Sequence, residues 1–426
     1  MPDNAGPHTP GDRTRVLVLG GRRTVMMLKE RTTYEVGFAD EAIPFDLLAA
    51  ADIPIEVDFD DWEEVVEAVR RVHALRPFTA VVSQVDRLVP LAGLLRERLG
   101  LTTGITAQAA RNCNDKAATH RCLSEADIAV TRHRVVHDGQ EGVVAAKEIG
   151  LPVIVKPRDA SSAAGLMHCA SLEEVSAAVS DILDGGRDSA LVEEYLVGPE
   201  IGVFAARAGG RTQILYVFTG EVGPPPKFVK LGGWFPSALD EGERARLGEL
   251  TGRVLAALGL DDWVALVQFI LTDDGPKVVE VNPRVSGGQG VALIAATTGY
   301  EMTLAAVEAA LGRHVRPDPP KAAIGMYHSI VFDQEGTLWY RPEALRGIEG
   351  LESPVPPVIE IDVAPGEAVL AINHPRGGTF GRIVVAGTGR EEVVRDHERI
   401  MRHLDLRVEP LENAEAQVDK PHTSCC

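Results

Sequence analysis

The sequence predicts a multidomain chain of mixed class, α/β at its N-terminal end and α+β in the middle and at the C-terminal end. Three observations carry that expectation. Over residues 15–110, short β-branched runs alternate with helical patterns, the order of a parallel sheet flanked by helices. From Trp263 to Gly288, two strand-like runs are joined by a tight turn and read as an antiparallel pair. Past the stiff break Pro317-Asp318-Pro319-Pro320, β-type runs separated by Gly/Pro turns precede one last helix. A length of 426 residues suits about three domains of ~150 residues each.

The first region opens with Arg15-Val16-Leu17-Val18-Leu19, an apolar run ending at Gly20-Gly21, as a parallel strand would. Asp60 or Asp61 can cap a helix in which Trp62, Val65, Val66, Val69 and Val72 recur at helical spacing. Phe78 to Val82 reads as another buried strand, and Leu88 to Leu99 as a helix stopped by Gly100. Together these make a Rossmann-like unit. Gly20-Gly21 is not a GxGxxG fingerprint, however, so a dinucleotide site and a dehydrogenase assignment have little support.

The next stretch carries isolated cations and acids. Asn114-Asp115-Lys116 opens a helix through Leu123, and a lysine in a first turn opposes the helix dipole. Lys116 therefore reads as a ligand contact, against the ordinary solvated lysine. Leu151 to Val155 is a strand delivering Lys156-Pro157 into a small-residue loop, Asp159 to Gly165. Ser161 and Ser162 in that loop can bring backbone N–H groups to phosphate oxygens, although it holds a single glycine. A strand from Leu166 to Cys169 leads to Ser171-Leu172-Glu173-Glu174, a capping box for a helix to about Leu183. Ala190 to Leu196 is a strand, after which Glu193 and Glu200 flank a Gly198-Pro199 turn. Such strand-end acids are ordinarily solvated.

Ile201 to Phe218 looks like a hairpin turning at Gly209-Gly210. Pro224 to Pro226 then leads into a loop, Gly232 to Pro236, and a helix from about Asp240 stops at Gly259. The organising stretch follows. Val264, Leu266, Phe269 and Leu271 form a buried strand, Asp273-Asp274-Gly275 the turn, and Lys277 to Val281 the return strand. On a strand alternate residues share a face, so Glu280, Asn282 and Arg284 project together, with Gln268 at matching depth opposite. Oxygen ligands, a carboxylate and an arginine side by side suit a magnesium ion carrying a polyphosphate. The bland alternative is an Asn-Pro turn with a surface salt bridge. Met302 to Leu311 is a helix closed by Gly312; beyond the break come Ala323 to Phe332, Glu367 to Ile372, Arg382 to Val385 and a helix from Glu391 to Leu404.

Bulk numbers narrow the classes. The chain is 45% hydrophobic and 25% charged, with no apolar run long enough to span a bilayer, so no membrane partner is expected. A net charge of −19, with no basic block to offset it, argues against nucleic acid. Residues 1–13 lack the apolar segment of a signal peptide. Five cysteines without CxxC spacing suit reduced thiols and a cytoplasmic location, and Cys425-Cys426 is not a CaaX box.

The order of these features resembles the ATP-grasp superfamily of carboxylate–amine ligases over roughly residues 15–315. Rossmann-like unit, lysine-bearing helix, Lys-Pro strand, small-residue loop, Glu-x-x-x-x-Gly-x-Glu and Glu-x-Asn-Pro-Arg come in that sequence. Asn282-Pro283-Arg284-Val285-Ser286-Gly287-Gly288, Gly299-Tyr300 and the mixed C-terminal domain are most similar to the L-amino-acid ligase branch.

The resemblance implies a tail at 1–13, an N-terminal domain at 14–111 and a linker helix with a lid subdomain at 112–192. It places a central catalytic domain at 193–318, a C-terminal domain at 319–410 and a disordered tail at 411–426. It further implies ATP and two magnesium ions, for which manganese could substitute. Lys116 and Lys156 would hold phosphates under the loop of Ser161 and Ser162. Glu193 would accept from the adenine amino group beside Glu194, Tyr195 and Leu196, and Glu200 would hold the ribose. Glu280 would bridge the two metals, with Asn282 and Gln268 as further ligands and Arg284 over the transferred phosphoryl group; Gly287-Gly288 would offer N–H groups to an oxyanion.

Many ligases of this branch carry glutamate where Gln268 stands. A unit charge pair at ~4 Å is worth ~4 kcal/mol at an effective dielectric near 20, so an amide there retunes the metal site. The implied reaction joins a small-molecule carboxylate to an amine, in a homodimer by family precedent. The alternatives are an ATP-grasp carboxylase that activates bicarbonate, and an inactive nucleotide-binding subunit.

Overall fold

The computed structural model describes residues 14–159, 165–225, 228–285, 288–315, 317, 320–374 and 377–410. The N-terminal unit runs β1 (Arg15–Leu19), α1 (Arg22–Arg31), β2 (Glu35–Asp40), α2 (Phe45–Ala50), β3 (Ile53–Glu56), α3 (Trp62–Leu75) and β4 (Ala80–Val82). Its strands lie in the order β3-β2-β1-β4, all parallel. Asp61 caps α3 by accepting from the Glu64 N–H. The helix then buries Val65, Val66 and Val69 against one face of the sheet, as their three- and four-residue spacing requires. After α4 (Val89–Arg98) come α5 (Ala107–Asn114) and α6 (Lys116–Glu125).

A small antiparallel sheet follows, built from β5 (His133–Val136), α7 (Gly139–Ile149), β6 (Val153–Pro157), β7 (Met167–Cys169), α8 (Leu172–Asp184) and β8 (Ala190–Glu194). Strand order is β5-β8-β6-β7, and α7 and α8 close its core with Ala145, Ala146, Val175, Val179 and Ile182. Both halves of the Ser171–Glu174 capping box form at the start of α8.

The remainder comprises β9 (Glu200–Ala208), β10 (Arg211–Val222), β11 (Lys230–Phe235), α9 (Glu241–Ala257), β12 (Trp263–Thr272), β13 (Gly275–Asn282), α10 (Gln289–Thr298) and α11 (Met302–Ala310). It ends with β14 (Ile324–Ser329), β15 (Gly336–Trp339), β16 (Val358–Ile361), β17 (Ala368–Val369), β18 (Gly381–Gly387), α12 (Arg390–Leu404) and β19 (Arg407–Glu409). One antiparallel sheet of eight strands, β13-β12-β9-β10-β11-β14-β18-β16, runs through it. Its core has two sides. Val203, Ala265, Val267 and Phe269 pack toward α9, whereas Phe204, Val264 and Leu266 pack toward α10 and α11. No single helix among the described residues is long and apolar enough to cross a membrane.

Four expectations change here. Gly232 to Pro236 is not a loop: Gly232 to Phe235 belong to β11, paired with β10 and β14. The glycines that suggest a loop are what permit the pairing, since a Cβ on Gly233 would lie 2.5 Å from the Thr219 carbonyl oxygen. The eight-stranded sheet crosses the expected boundary at 318, because β14, β18 and β16 extend the sheet of β9 to β13. The boundary at 192/193 divides β8, which stops at Glu194 instead of reaching Leu196. In the hairpin, positive φ falls on Gly275 (107°), which pairs with Thr272 and leaves Asp273-Asp274 as the turn. Asp318 and Pro319 of the break, Pro226 of the proline loop, and residues 411–426 lie outside the described residues.

Candidate active site

The β12–β13 register sets the site. Leu266 lies opposite Asn282 and Gln268 opposite Glu280, and then a bulge puts Phe269 opposite Val278. Glu280, Asn282 and Gln268 consequently face one side of the sheet. On the other flank of β12, Glu200 of β9 pairs with Ile270 and joins the same face one step along. The side chains form a chain of contacts. Asn282 Nδ2 donates to Gln268 Oε1 at 3.2 Å, and Gln268 Nε2 donates to Glu200 Oε1 at 3.0 Å. Lys230 of β11 pairs with both Glu200 oxygens. The Trp263 indole N–H donates to the Pro283 carbonyl at 2.6 Å and pins the end of β13.

Lys116 reaches this face from the first turn of α6, its Nζ 3.4 Å from Glu280 Oε1. Asp115 caps that helix by accepting from Ala117 and Ala118 and pairs with Arg158 at 2.5 Å. Burial would raise the Asp115 carboxyl, but Arg158 and the two N–H donors hold it below the usual carboxylate range.

The small sheet supplies the second lysine. β6 turns Lys156 inward, where it is 5% exposed and sits 2.6 Å from Glu193 Oε2. His120 Nε2 is 2.7 Å from the other oxygen, Glu193 Oε1. Burial pushes Glu193 up, yet Lys156 and His120 outweigh it and hold the carboxyl down at about 2. Glu194, one residue on, points the other way. It pairs with Lys277 of β13 at 3.1 Å and with Arg132 at 2.7 Å, and so ties the small sheet to the large one. The Tyr195 ring meets His168 edge-on with centroids 4.9 Å apart, and Leu196 follows half-buried.

Arg284 has a carboxylate partner from the N-terminal unit. Its Nε pairs with Asp86 Oδ1 and its Nη2 lies 2.5 Å from Asp86 Oδ2, so it is gripped by the N-terminal unit. The neighbouring Val285 N–H donates to Gln84 Oε1 at 2.8 Å. Ser161 and Ser162 lie outside the described residues, as does Gly287, while Gly288 caps α10. Residues to which the sequence assigns no role at the site are Asp86, Arg158, His120 and Lys230. His120 was within reach, four residues after Lys116 and so on the same helical face. Lys230 sits between Val229 and Leu231, and a cation between apolar neighbours is also a signal.

A cation held here would meet one carboxylate, Glu280, and the amide oxygens of Asn282 and Gln268. Among the described residues there is no cluster of three or more His, Cys, Asp or Glu side chains that could hold a metal by itself. That donor set fits magnesium, a hard ion that keeps several waters and takes one or two carboxylates together with phosphate oxygens.

Lys116 facing the carboxylate–amide cluster of the large sheet, with Lys156 buried against Glu193 on the small sheet, is an arrangement whose chemistry can take a polyphosphate with a divalent cation. A family profile described as "Carbamoyl-phosphate synthase L chain, ATP binding domain" matches residues 115–317. D-alanine–D-alanine ligase of Pseudomonas entomophila (strain L48) is 26% identical over 251 residues, 57% of this chain and 77% of that ligase. Carnosine synthase 1 of Gallus gallus is 29% identical over 277 residues, 60% of this chain but 29% of that protein. The crystal structure of L-amino acid ligase from Bacillus licheniformis superposes with a TM-score of 0.74 at 19% identity, covering 93% of this chain and 99% of that one. The fold is the ATP-grasp fold, and the profile match spans residues 115–317 of the chain.

Proposed function

We propose that this chain is an ATP-dependent ligase that joins the carboxylate of an amino acid, or a similar metabolite, to an amine. The observation that carries the reading is the convergence of Lys116 on Glu280, beside Asn282 and Gln268, on one face of the β12–β13 hairpin. In this reading Lys116 and Lys156 hold the ATP phosphates, with Ser161 and Ser162 as further phosphate contacts. Glu193 keeps a further lone pair on each oxygen for the adenine amino group, next to Glu194, Tyr195 and the Leu196 backbone. Glu200 takes the ribose hydroxyls. Magnesium, held by Glu280, Asn282 and Gln268, would supply charge neutralisation on the phosphates. The substrate carboxylate attacks the γ-phosphorus, giving an acyl phosphate and ADP. The amine then attacks the acyl carbon, and phosphate leaves. Arg284, oriented by Asp86, stabilises the transferred phosphoryl charge, since phosphoryl transfer is catalysed mainly by positioning and electrostatics. The chain would work in the cytoplasm on small molecules, as a homodimer.

The test is a screen of pooled amino acids with ATP and magnesium, with hydroxylamine added to trap acyl phosphate. ADP and a hydroxamate are expected. AMP, or no nucleotide consumption with any pool, rejects the assignment.

Gln268, together with the carbamoyl-phosphate synthase profile, favours one second reading, activation of bicarbonate. It predicts ADP formation that follows bicarbonate and ignores the amino-acid pool.

Gln268→Glu gives a separate check on the metal ligands. It turns the 3.0 Å Gln268–Glu200 hydrogen bond into a contact between two carboxylates. The metal-free variant should melt lower than wild type, and magnesium or manganese should raise its Tm by more than they raise the wild type's. An equal metal response in both proteins removes position 268 from the ligand set.

A further inference from the structure

The buried cluster on the small sheet contains one group that the ligase reading leaves without a task, His120. It is 3% exposed, on the same face of α6 as Lys116, and its Nε2 meets Glu193 Oε1 at 2.7 Å. A carboxylate oxygen can only accept, so Nε2 carries the proton in this contact. Nδ1 is buried without a hydrogen-bond partner among the described residues. The ring stacks on His133, with centroids 4.2 Å apart and planes 21° apart, and His133 Nδ1 donates to the Thr131 carbonyl at 2.9 Å. The imidazole is thus held by the stacking with Nε2 aimed at one carboxylate oxygen.

The other oxygen of that carboxylate holds Lys156 at 2.6 Å. We propose that His120 is a positioning residue that fixes Lys156 through Glu193. Without it, Glu193 Oε1 loses its donor in a site that is 5% exposed, and the carboxylate is free to rotate away from the lysine. Because His120 and Lys116 belong to one helix, the same contact sets the spacing of the two lysines. A second brace acts at the start of that helix, where the Lys116 N–H donates to the Arg158 carbonyl at 3.0 Å and Asp115 pairs with the Arg158 side chain. The consequence for nucleotide rests on the ligase reading, whereas the consequence for Lys156 does not.

The experiment compares wild type, His120→Met and His120→Gln as full chains. Methionine fills the space without a donor, while the glutamine amide can put a donor near the Nε2 position. Two quantities are read: MgATP affinity by calorimetry, and acetylation of Lys156 by an amine-reactive ester, followed by peptide mass. His120→Met is expected to weaken MgATP binding about tenfold or more and to expose Lys156 to acetylation. His120→Gln is expected to recover most of both. Equal losses in the two variants, or an affinity unmoved in His120→Met, overturn the proposal. If wild type binds no MgATP, the ligase reading falls and the acetylation contrast alone decides: its presence upholds the brace and its absence overturns it. Should His120→Met not fold, His120→Asn, whose amide stops short of Glu193, replaces it.

Discussion

Glu280→Gln is expected to lower ATP turnover by about 10²–10³-fold while leaving the fold intact. Glu280 is the one carboxylate of the three candidate ligands, and Lys116 approaches it at 3.4 Å. The amide has the same shape but no charge, so the loss falls on the electrostatics of phosphoryl transfer. Its effect on stability should be small. The Lys116–Glu280 pair is partly solvated, with side-chain exposures of 12% and 22%, and such pairs contribute at most ~1 kcal/mol. The measurements are ADP release with the responsive amino-acid pool and urea denaturation of the same preparations. Turnover within a few-fold of wild type would remove Glu280 from the metal site. Loss of both activity and fold would mean that Glu280 holds the two sheets together instead.

What could be read in the sequence was whatever a local rule governs. Asp61 and Ser171 are caps, recognisable from their own segments. The β12–β13 hairpin announces itself by its turn, and period-two alternation then brings Glu280 and Asn282 to one face without knowledge of any other strand. What the sequence does not reveal is whatever a distant partner decides. Gly232 and Gly233 carry a loop signature, but the approach of β10 and β14 on either side makes them a strand. Glu193 resembled a solvated strand end because its partner His120 lies 73 residues away in sequence. Arg284 sits 198 residues from Asp86, and no local pattern signals that the N-terminal unit grips it. Functional side chains are recognised by type and spacing; what holds them in place is recorded only in the tertiary contacts.

Glu193→Gln should cost about 3–5 kcal/mol of stability at neutral pH, because it leaves Lys156 buried without its counter-charge. Lys156 and Glu193 are each 5% exposed, so water cannot supply the missing solvation. The pH dependence follows from the direction of the Glu193 shift. Its carboxyl moves from 4.5 down to about 2 on folding, so the unfolded chain takes up the proton first. The contribution is complete above about pH 4.5 and disappears as pH falls through the folded value near 2. The gap between wild type and Glu193→Gln in urea denaturation should therefore hold constant from pH 7 to about pH 5, then narrow toward pH 3 as the wild type loses its advantage. A gap that is the same at every pH would show that packing, not charge, separates the two proteins. The partner's share can be isolated by adding Lys156→Met to Glu193→Gln. That change removes the stranded ammonium and should recover part of the loss, since two contacting residues are not additive. Recovery of stability without recovery of MgATP binding would then separate what the pair does for the fold from what Lys156 does for the nucleotide.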